Sequence, residues 1–461
     1  MEAILKVFQF ISDMGATVMM PIIILIMGCI LRAGFGKSLR AGLTVGIGFI
    51  GLNLVTGMLG NYLAPAVSAM ADKFGLTLSV IDVGWPAAAK IAFASTVGQV
   101  IIPVCLLVNI VMLLTNTTQT VDVDIWDYWH FAFTGALVAI LTESQVIGVI
   151  AAILNMVIIM VLGDWTAKGV EDTLGLPGVS LPHGFTTAYA PIAMGMNWVL
   201  DKIPGVNKIS FDIEKMQKKF GVFGEPILVG TVLGAIIGFA AGYGIAPVTG
   251  EGANPGILGL GINMGAVLVL IPKMAALLME GLLPISDAAS EFIEKKFSSR
   301  GKIYIGLDSA VGVGHPMTLS VALVLVPITV FLAVLLPGNK VMPFADLAVI
   351  PWMFVLITPV VKGNGFRALI IGIVVLAAGL YIATDLAPMI TSAAINAQFD
   401  MGSAASISSI CDGANPLTWA ITRLHGLGAA VGIGVVGVIA LALAVINRKK
   451  IMKEAAEMHK A

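Results

Sequence analysis

Charge is what this sequence has least of. Asp, Glu, Lys and Arg make up 11% of its 461 residues, against the roughly 25% usual in soluble domains. Hydrophobic residues make up 58%, and the mean hydropathy is +0.98. That balance excludes an ordinary soluble domain and leaves no broad basic surface for nucleic acid. Cysteine is scarce too: Cys29, Cys105 and Cys411 are scattered, with no CxxC spacing, which argues against a disulfide framework or a thiolate metal centre. The five histidines show no HxxxH pair. No metal ion, cofactor or catalytic residue is expected from such a pattern. A cleavable leader is not expected either, since no small-residue cleavage signal precedes Arg32.

What remains is apolar and long. Runs around Val18–Leu31 and Val431–Ile446 approach the roughly 20 residues that span a bilayer. Candidate spans are 14–31, 41–63, 97–114, 131–162, 185–200, 227–246, 256–283, 317–336, 344–361, 367–390 and 427–447. The run 131–162 is long enough for a helix plus a hairpin arm. The expectation is an all-α polytopic membrane protein with about 11 transmembrane helices. Gly-containing polar segments interrupt it at 75–95, 140–148, 172–187, 303–316, 361–367 and 400–418.

Basic residues orient the chain, because short cytoplasmic loops collect Lys and Arg. Arg32, Lys37 and Arg40 form one cluster, and Lys202, Lys208, Lys215, Lys218 and Lys219 a second. Lys295, Lys296, Arg300 and Lys302 form a third, and Arg448, Lys449, Lys450 and Lys453 place the C-terminus inside. Residues 247–255 have no basic residue and are expected outside, as is the N-terminus.

Weak internal similarities recur in order. Pro65 and Pro284 are 219 residues apart, Asp82 and Asp308 226, Pro103 and Pro327 224, Asp124 and Asp346 222, and His183 and Asp412 229. The loop 64–75 is expected outside while its counterpart 285–302 is basic and inside. The chain is therefore expected to hold two inverted repeats, 1–200 and 223–425, joined by a cytoplasmic linker at 201–222. A final helix and tail occupy 426–461. Transporters built this way bind solute near the midplane, at interrupted helices.

The strongest interruption is Lys302–Pro316, KIYIGLDSAVGVGHP. An acid and an imidazole at membrane depth are costly, and broken backbone there must be buried in protein or line a wet cavity. This stretch reads as a re-entrant loop in contact with a polar solute; an extramembrane connector ending at Lys302 is the plainer alternative. Asp308, Asp82 and Asp412 each lie in such a break, and each could instead cap a helix. His183 precedes a helix over 186–200, whose first amides are free to meet a ligand. His130 lies in WDYWHF, where interfacial anchoring competes with binding. Glu143, Gln145, Asn364 and Asn415 interrupt apolar runs. With His315, these ten residues are the candidate substrate contacts: carboxylates accept hydrogen bonds and amides both donate and accept, as vicinal hydroxyls require. Gly34–Ser38 lacks the first glycine of a phosphate loop, and GxGxxG at Gly46–Gly51 and Gly432–Gly437 suits helix packing. Three functions fit: a group-translocating permease, an ion-coupled symporter for a sugar or polyol, and a membrane enzyme acting on a lipid-linked substrate. No activated nucleophile supports the last.

VDVDIW, LPHG, FGEP (Phe223–Pro226), GLDSAVGVGH, PGNKVMPFADLA, GNGFR and ANPLTW resemble the galactitol-type permease, component C, of the bacterial phosphoenolpyruvate-dependent sugar phosphotransferase system. The resemblance runs through nearly the whole chain. It implies a homodimer in the inner membrane, with inverted repeats, re-entrant hairpins and elevator-type movement. It also implies that a polyol, galactitol foremost, is phosphorylated by the phosphocysteine of a separate cytosolic component B, itself served by component A. By this resemblance Asp308, His315 and His183 would be substrate contacts, with Asp82 following by repeat symmetry.

Overall fold

The structure is a computed structural model. It describes residues 16–30, 32–58, 61–62, 64–73, 79–122, 124, 127–206, 209, 226–250, 253–267, 269–270, 273–274, 277, 280–281, 284, 302–343, 345–397 and 406–458. The basic residues Lys208, Lys215, Lys218, Lys219, Lys295, Lys296 and Arg300, the motif residues Phe223–Glu225 and the tail residue His459 lie outside the described residues.

The chain is mostly helical. Its principal helices are α1 (Ala16–Ile30), α2 (Phe35–Met58), α3 (Trp85–Ala94), α4 (Thr96–Leu114), α5 (Tyr128–Thr142), α6 (Gln145–Gly169), α7 (Ala190–Lys202), α8 (Pro226–Ala240), α9 (Pro316–Leu335), α10 (Gly365–Asn396), α11 (Pro416–Gly426) and α12 (Ala429–Met458). Among the described residues, four helical stretches are long and apolar enough to cross a bilayer: Gln145–Leu174, Pro316–Leu335, Gly365–Asn396 and Ala429–Glu457. This is a polytopic membrane protein.

The run 131–162 folds as an antiparallel hairpin of α5 and α6. Glu143, in the left-handed region at φ 52°, ends α5, and the Ser144 hydroxyl accepts from the Ile147 amide to start α6. A Cβ at Gly135 would lie 2.6 Å from the Gly148 carbonyl oxygen, and one at Gly148 2.6 Å from that of Gly135. Only glycines let the two arms approach so closely. The single helix expected over 344–361 is instead three short pieces, Ala345–Val349, Ile350–Phe354 and Ile357–Val360. Pro351 and Pro359 lack the amide hydrogen that a continuous helix needs.

The all-α expectation requires one addition, six short strands in two parallel sheets. These are β1 (Val80–Asp82), β2 (Thr120–Asp122), β3 (Val179–Ser180), β4 (Tyr304–Gly306), β5 (Val341–Met342) and β6 (Ile407–Ser408). One sheet runs β5-β1-β6 and the other β2-β4-β3. Their physical reason is backbone satisfaction. Where a helix is broken inside the protein, the unpaired amides and carbonyls need partners, and a neighbouring broken segment supplies them: Tyr304 N–H donates to Gln119 O and Ile305 N–H to Gly178 O. Replacing β1, β2 and β3 by β4, β5 and β6 turns one strand order into the other. The paired strands begin at Val80 and Tyr304, Thr120 and Val341, and Val179 and Ile407, 224, 221 and 228 residues apart. The central strand of each sheet comes from the opposite half of the chain from its two neighbours.

Candidate functional site: a buried histidine–carboxylate network

Parallel strands bring their C-terminal ends to one edge, and the residues just beyond those ends carry the polar chemistry. Past β2 come Asp124 and Asp127, past β3 His183, past β4 Asp308, and past β6, in the other sheet, Asp412 and Asn415. His130 joins them from the first turn of α5. Gly184 makes this possible, because a Cβ there would sit 2.4 Å from the His130 Cβ. The imidazoles of His130 and His183 lie with centroids 4.4 Å apart.

The hydrogen bonds fix the protons. A backbone amide can only donate, so Thr186 N–H, 3.2 Å from His183 Nδ1, makes that nitrogen an acceptor. The His183 proton is then on Nε2, which faces His130 Nε2 at 3.3 Å. His130 in turn holds its proton on Nδ1 and donates it to Asp412 Oδ2 at 2.6 Å. Asp412 Oδ1 accepts from the Asn415 side-chain amide at 3.0 Å, and the same amide group donates to Gly184 O. The chain runs Thr186, His183, His130, Asp412 with every donor matched to an acceptor. His183 Nε2 also faces Asp308 Oδ1 at 3.6 Å and Asp127 Oδ1 at 3.7 Å.

Asp308 is the outlet of this network. Its carboxyl accepts from Ala310 N–H at 2.7 Å, and its own amide donates to Asp124 Oδ2. It thus satisfies the first amide of the short helix Ala310–Val313, whose N-cap residue is Ser309. Yet its side chain keeps 15% exposure, while Asp127 and His183 keep 5%. Thr186 Oγ1 donates within the same wall to Ser309 Oγ or Trp352 O.

Asp127, His130 and His183 are close enough together to hold a metal ion. The tautomer argues against it. A ligating imidazole needs a lone pair on the metal-facing nitrogen, and Thr186 N–H leaves the proton of His183 on that atom.

Of the ten sequence candidates, Asp308, His183, His130, Asp412 and Asn415 converge here. Asp82 does not. Its carboxyl accepts from the Gly84 and Asp346 amides, beside β1 in the other sheet. His315 is half-buried at the N-cap of α9. Asn364 caps α10 by accepting from Arg367 N–H and donates to Ile209 O. Glu143 and Gln145 are exposed at the hairpin turn; twelve residues of α5 separate Glu143 from His130, about 20 Å of helix. The site residues that sequence reasoning passed over are Asp127, Asp124 and Thr186. Asp127 stands three residues before His130, one helical turn away, a spacing visible in WDYWH. Asp124 shows up only as a repeat partner of Asp346.

Two relatives named galactitol-specific EIIC components of the PTS system, from Escherichia coli K12 and O157:H7, are each 39% identical to this chain over 436 residues. The match covers 95% of this chain and 94% of theirs. Another K12 protein, whose name assigns it provisionally as a permease IIC component, is 40% identical over 445 residues, 96% of this chain and 99% of its own. Residues 9–404 match the EIIC-GAT family, described as "PTS system sugar-specific permease component". On that match and those identities, the chain belongs to the EIIC-GAT family of phosphotransferase-system sugar permeases.

Proposed function

We propose that this chain binds galactitol, or a polyol like it, at the Asp308–His183 network and presents it to a cytosolic component B for phosphorylation. The observation that carries this is the proton order of the network. It places the Asp308 carboxyl, an acceptor, 3.6 Å from the donor His183 Nε2, and Asp308 is the most exposed acid of the cluster. Vicinal hydroxyls each offer one donor and lone pairs, so one can donate to Asp308 while its neighbour takes the His183 Nε2–H that otherwise goes to His130. Two relatives carry galactitol in their names, which selects the polyol among sugars.

An inverted repeat is supported by the matching strand orders of the two sheets. The elevator movement, the homodimer and the inner-membrane setting rest on family resemblance, and the eleven spans on the apolar runs of the sequence. Arg448, Lys449, Lys450 and Lys453 at the end of α12 support a cytoplasmic C-terminus. Family membership favours group translocation over ion-coupled symport. The test is uptake by membrane vesicles supplied with components A and B. Galactitol should accumulate as its phosphate, and only with phosphoenolpyruvate. Accumulation of unmodified galactitol driven by an ion gradient alone would contradict the proposal.

A further inference from the structure

At the end of the molecule that carries Arg448, Lys449, Lys450 and Lys453, a pocket of about 290 Å3 opens between the last turns of α6 and α7 and the short piece Ile357–Val360. None of its lining residues belongs to the histidine–carboxylate network. Trp165, Met194, Trp198, Pro359 and Val360 form apolar walls, and Asn197 and Asp201 a polar edge. Trp165 fixes the level of the pocket. Its indole N–H donates to Asn447 Oδ1 at 3.0 Å, and Asn447 is the residue of α12 just before Arg448. Trp198 stands at the rim, 63% exposed, one turn before Lys202 at the end of α7. Tryptophans level with the first basic residues of a spanning helix mark the headgroup zone of a bilayer.

The charges around the pocket do not cancel. Asp201 is neutralised within the protein, since Arg367 Nη1 donates to its Oδ1 at 2.6 Å and to Asn197 Oδ1 at 2.7 Å. Lys202 is not. Its Nζ lies 5.7 Å from the centroid of the Trp198 ring, and among the described residues it has no ion-pair partner. Lys362, exposed two residues beyond Val360, likewise has none among the described residues. An indole-walled slot beside unbalanced ammonium groups suits a molecule that is apolar at one end and anionic at the other. A polyol lacks the charge, and a free anion leaves the indoles unused. The volume lies at the small end of the roughly 300–1,000 Å3 of small-molecule sites. That accommodates a headgroup and the start of one acyl chain, whose remainder stays in the bilayer.

We propose that this pocket binds an anionic phospholipid from the leaflet at the basic end of the protein, with its upper acyl carbons against Trp165, Met194 and Val360 and its phosphate towards Lys202. The site stands on its own observations, whether or not the polyol reading holds.

The test uses the full-length protein, purified in detergent, stripped of lipid and titrated with phosphatidylglycerol or phosphatidylcholine, with bound lipid counted by native mass spectrometry. One lysine beside an anionic headgroup is worth about fivefold in affinity, so phosphatidylglycerol should bind about 5- to 25-fold tighter than phosphatidylcholine. Lys202→Gln should lose about fivefold for phosphatidylglycerol and nothing for phosphatidylcholine. Trp198→Ala should weaken both lipids. Lys453→Gln, on the exposed face of α12 beyond the pocket, should change neither. Lys202 and Trp198 are exposed, so both variants should keep the wild-type melting temperature, which is measured alongside. Equal affinity of the wild type for the two lipids overturns the proposal, as does unchanged binding by folded Lys202→Gln or Trp198→Ala. A loss in Lys453→Gln equal to that in Lys202→Gln would place the selectivity on the basic surface at large and overturns it too. Two other occupants are tested on the same samples. A melting-temperature rise given in full by inorganic phosphate makes the pocket a plain anion site. Binding of component B that Trp198→Ala abolishes while phosphatidylglycerol binding persists assigns the pocket to that partner. Either result overturns the lipid site.

Discussion

At the residue scale the network depends on Asp412, which is fully buried and accepts from both His130 and Asn415. Asp412→Ala strands two buried donors, each costing about 1–3 kcal/mol. The variant should therefore lose about 2–6 kcal/mol of stability, seen as a lower melting temperature and reduced galactitol binding together. Glu143→Gln and Gln145→Ala touch only an exposed turn, so galactitol affinity should stay within about twofold of wild type by titration. These two contrasts show what was legible in the residues. Asp308, His183 and Asp412 stood out because a charge or imidazole in a Gly-rich break has no membrane role of its own. Glu143 and Gln145 carried the same signal for a different reason, namely that a hairpin turn reaches water. Their membership of one site depends on long-range convergence, which local sequence does not encode. Asp127 gives no such signal, because it sits inside WDYWHF, which reads as an interfacial aromatic cluster.

At the scale of elements, helices are legible wherever a run is apolar and unbroken: α4 and α9 lie within a residue of their expected limits, while α10 and α12 start within two residues of theirs and run six and eleven residues past their expected ends. The strands are not, because two or three residues cannot display a period of two, and they form to satisfy backbone freed by a helix break. The segment 344–361 departs from its expected single helix for the opposite reason, since its composition is apolar apart from Asp346 and Thr358 while its prolines decide the backbone. The α5–α6 hairpin offers a direct check on packing. Gly148→Ala puts a methyl 2.6 Å from the Gly135 carbonyl oxygen and 2.7 Å from the Ala139 Cβ. Overpacking of this kind costs about 1–3 kcal/mol, so the melting temperature should fall. An unchanged value would mean that the arms are looser than described.

At the scale of the whole molecule, the interleaved sheets bind the two halves of the sequence into one body. Each half supplies the central strand of the other's sheet, so neither 1–200 nor 223–425 is expected to fold alone. Expression of either half should give no monodisperse protein. The basic clusters make a topological prediction as well: Lys202→Cys should react with an impermeant thiol reagent only after permeabilisation, and Ala253→Cys from outside without it.

The central claim is that Asp308 and His183 bind polyol hydroxyls, and one titration tests it. Purified Asp308→Asn should keep its helicity and melting temperature, because an Asn side-chain oxygen still accepts from the Ala310 amide. It replaces one acceptor oxygen by a donor and removes a charge, and hydrogen bonds to charged groups are worth about 1.5–3 kcal/mol. Galactitol affinity should therefore fall by about 10- to 150-fold relative to wild type. Wild-type affinity in a well-folded Asp308→Asn protein would contradict the account and leave Asp308 a structural partner of the Ala310 amide.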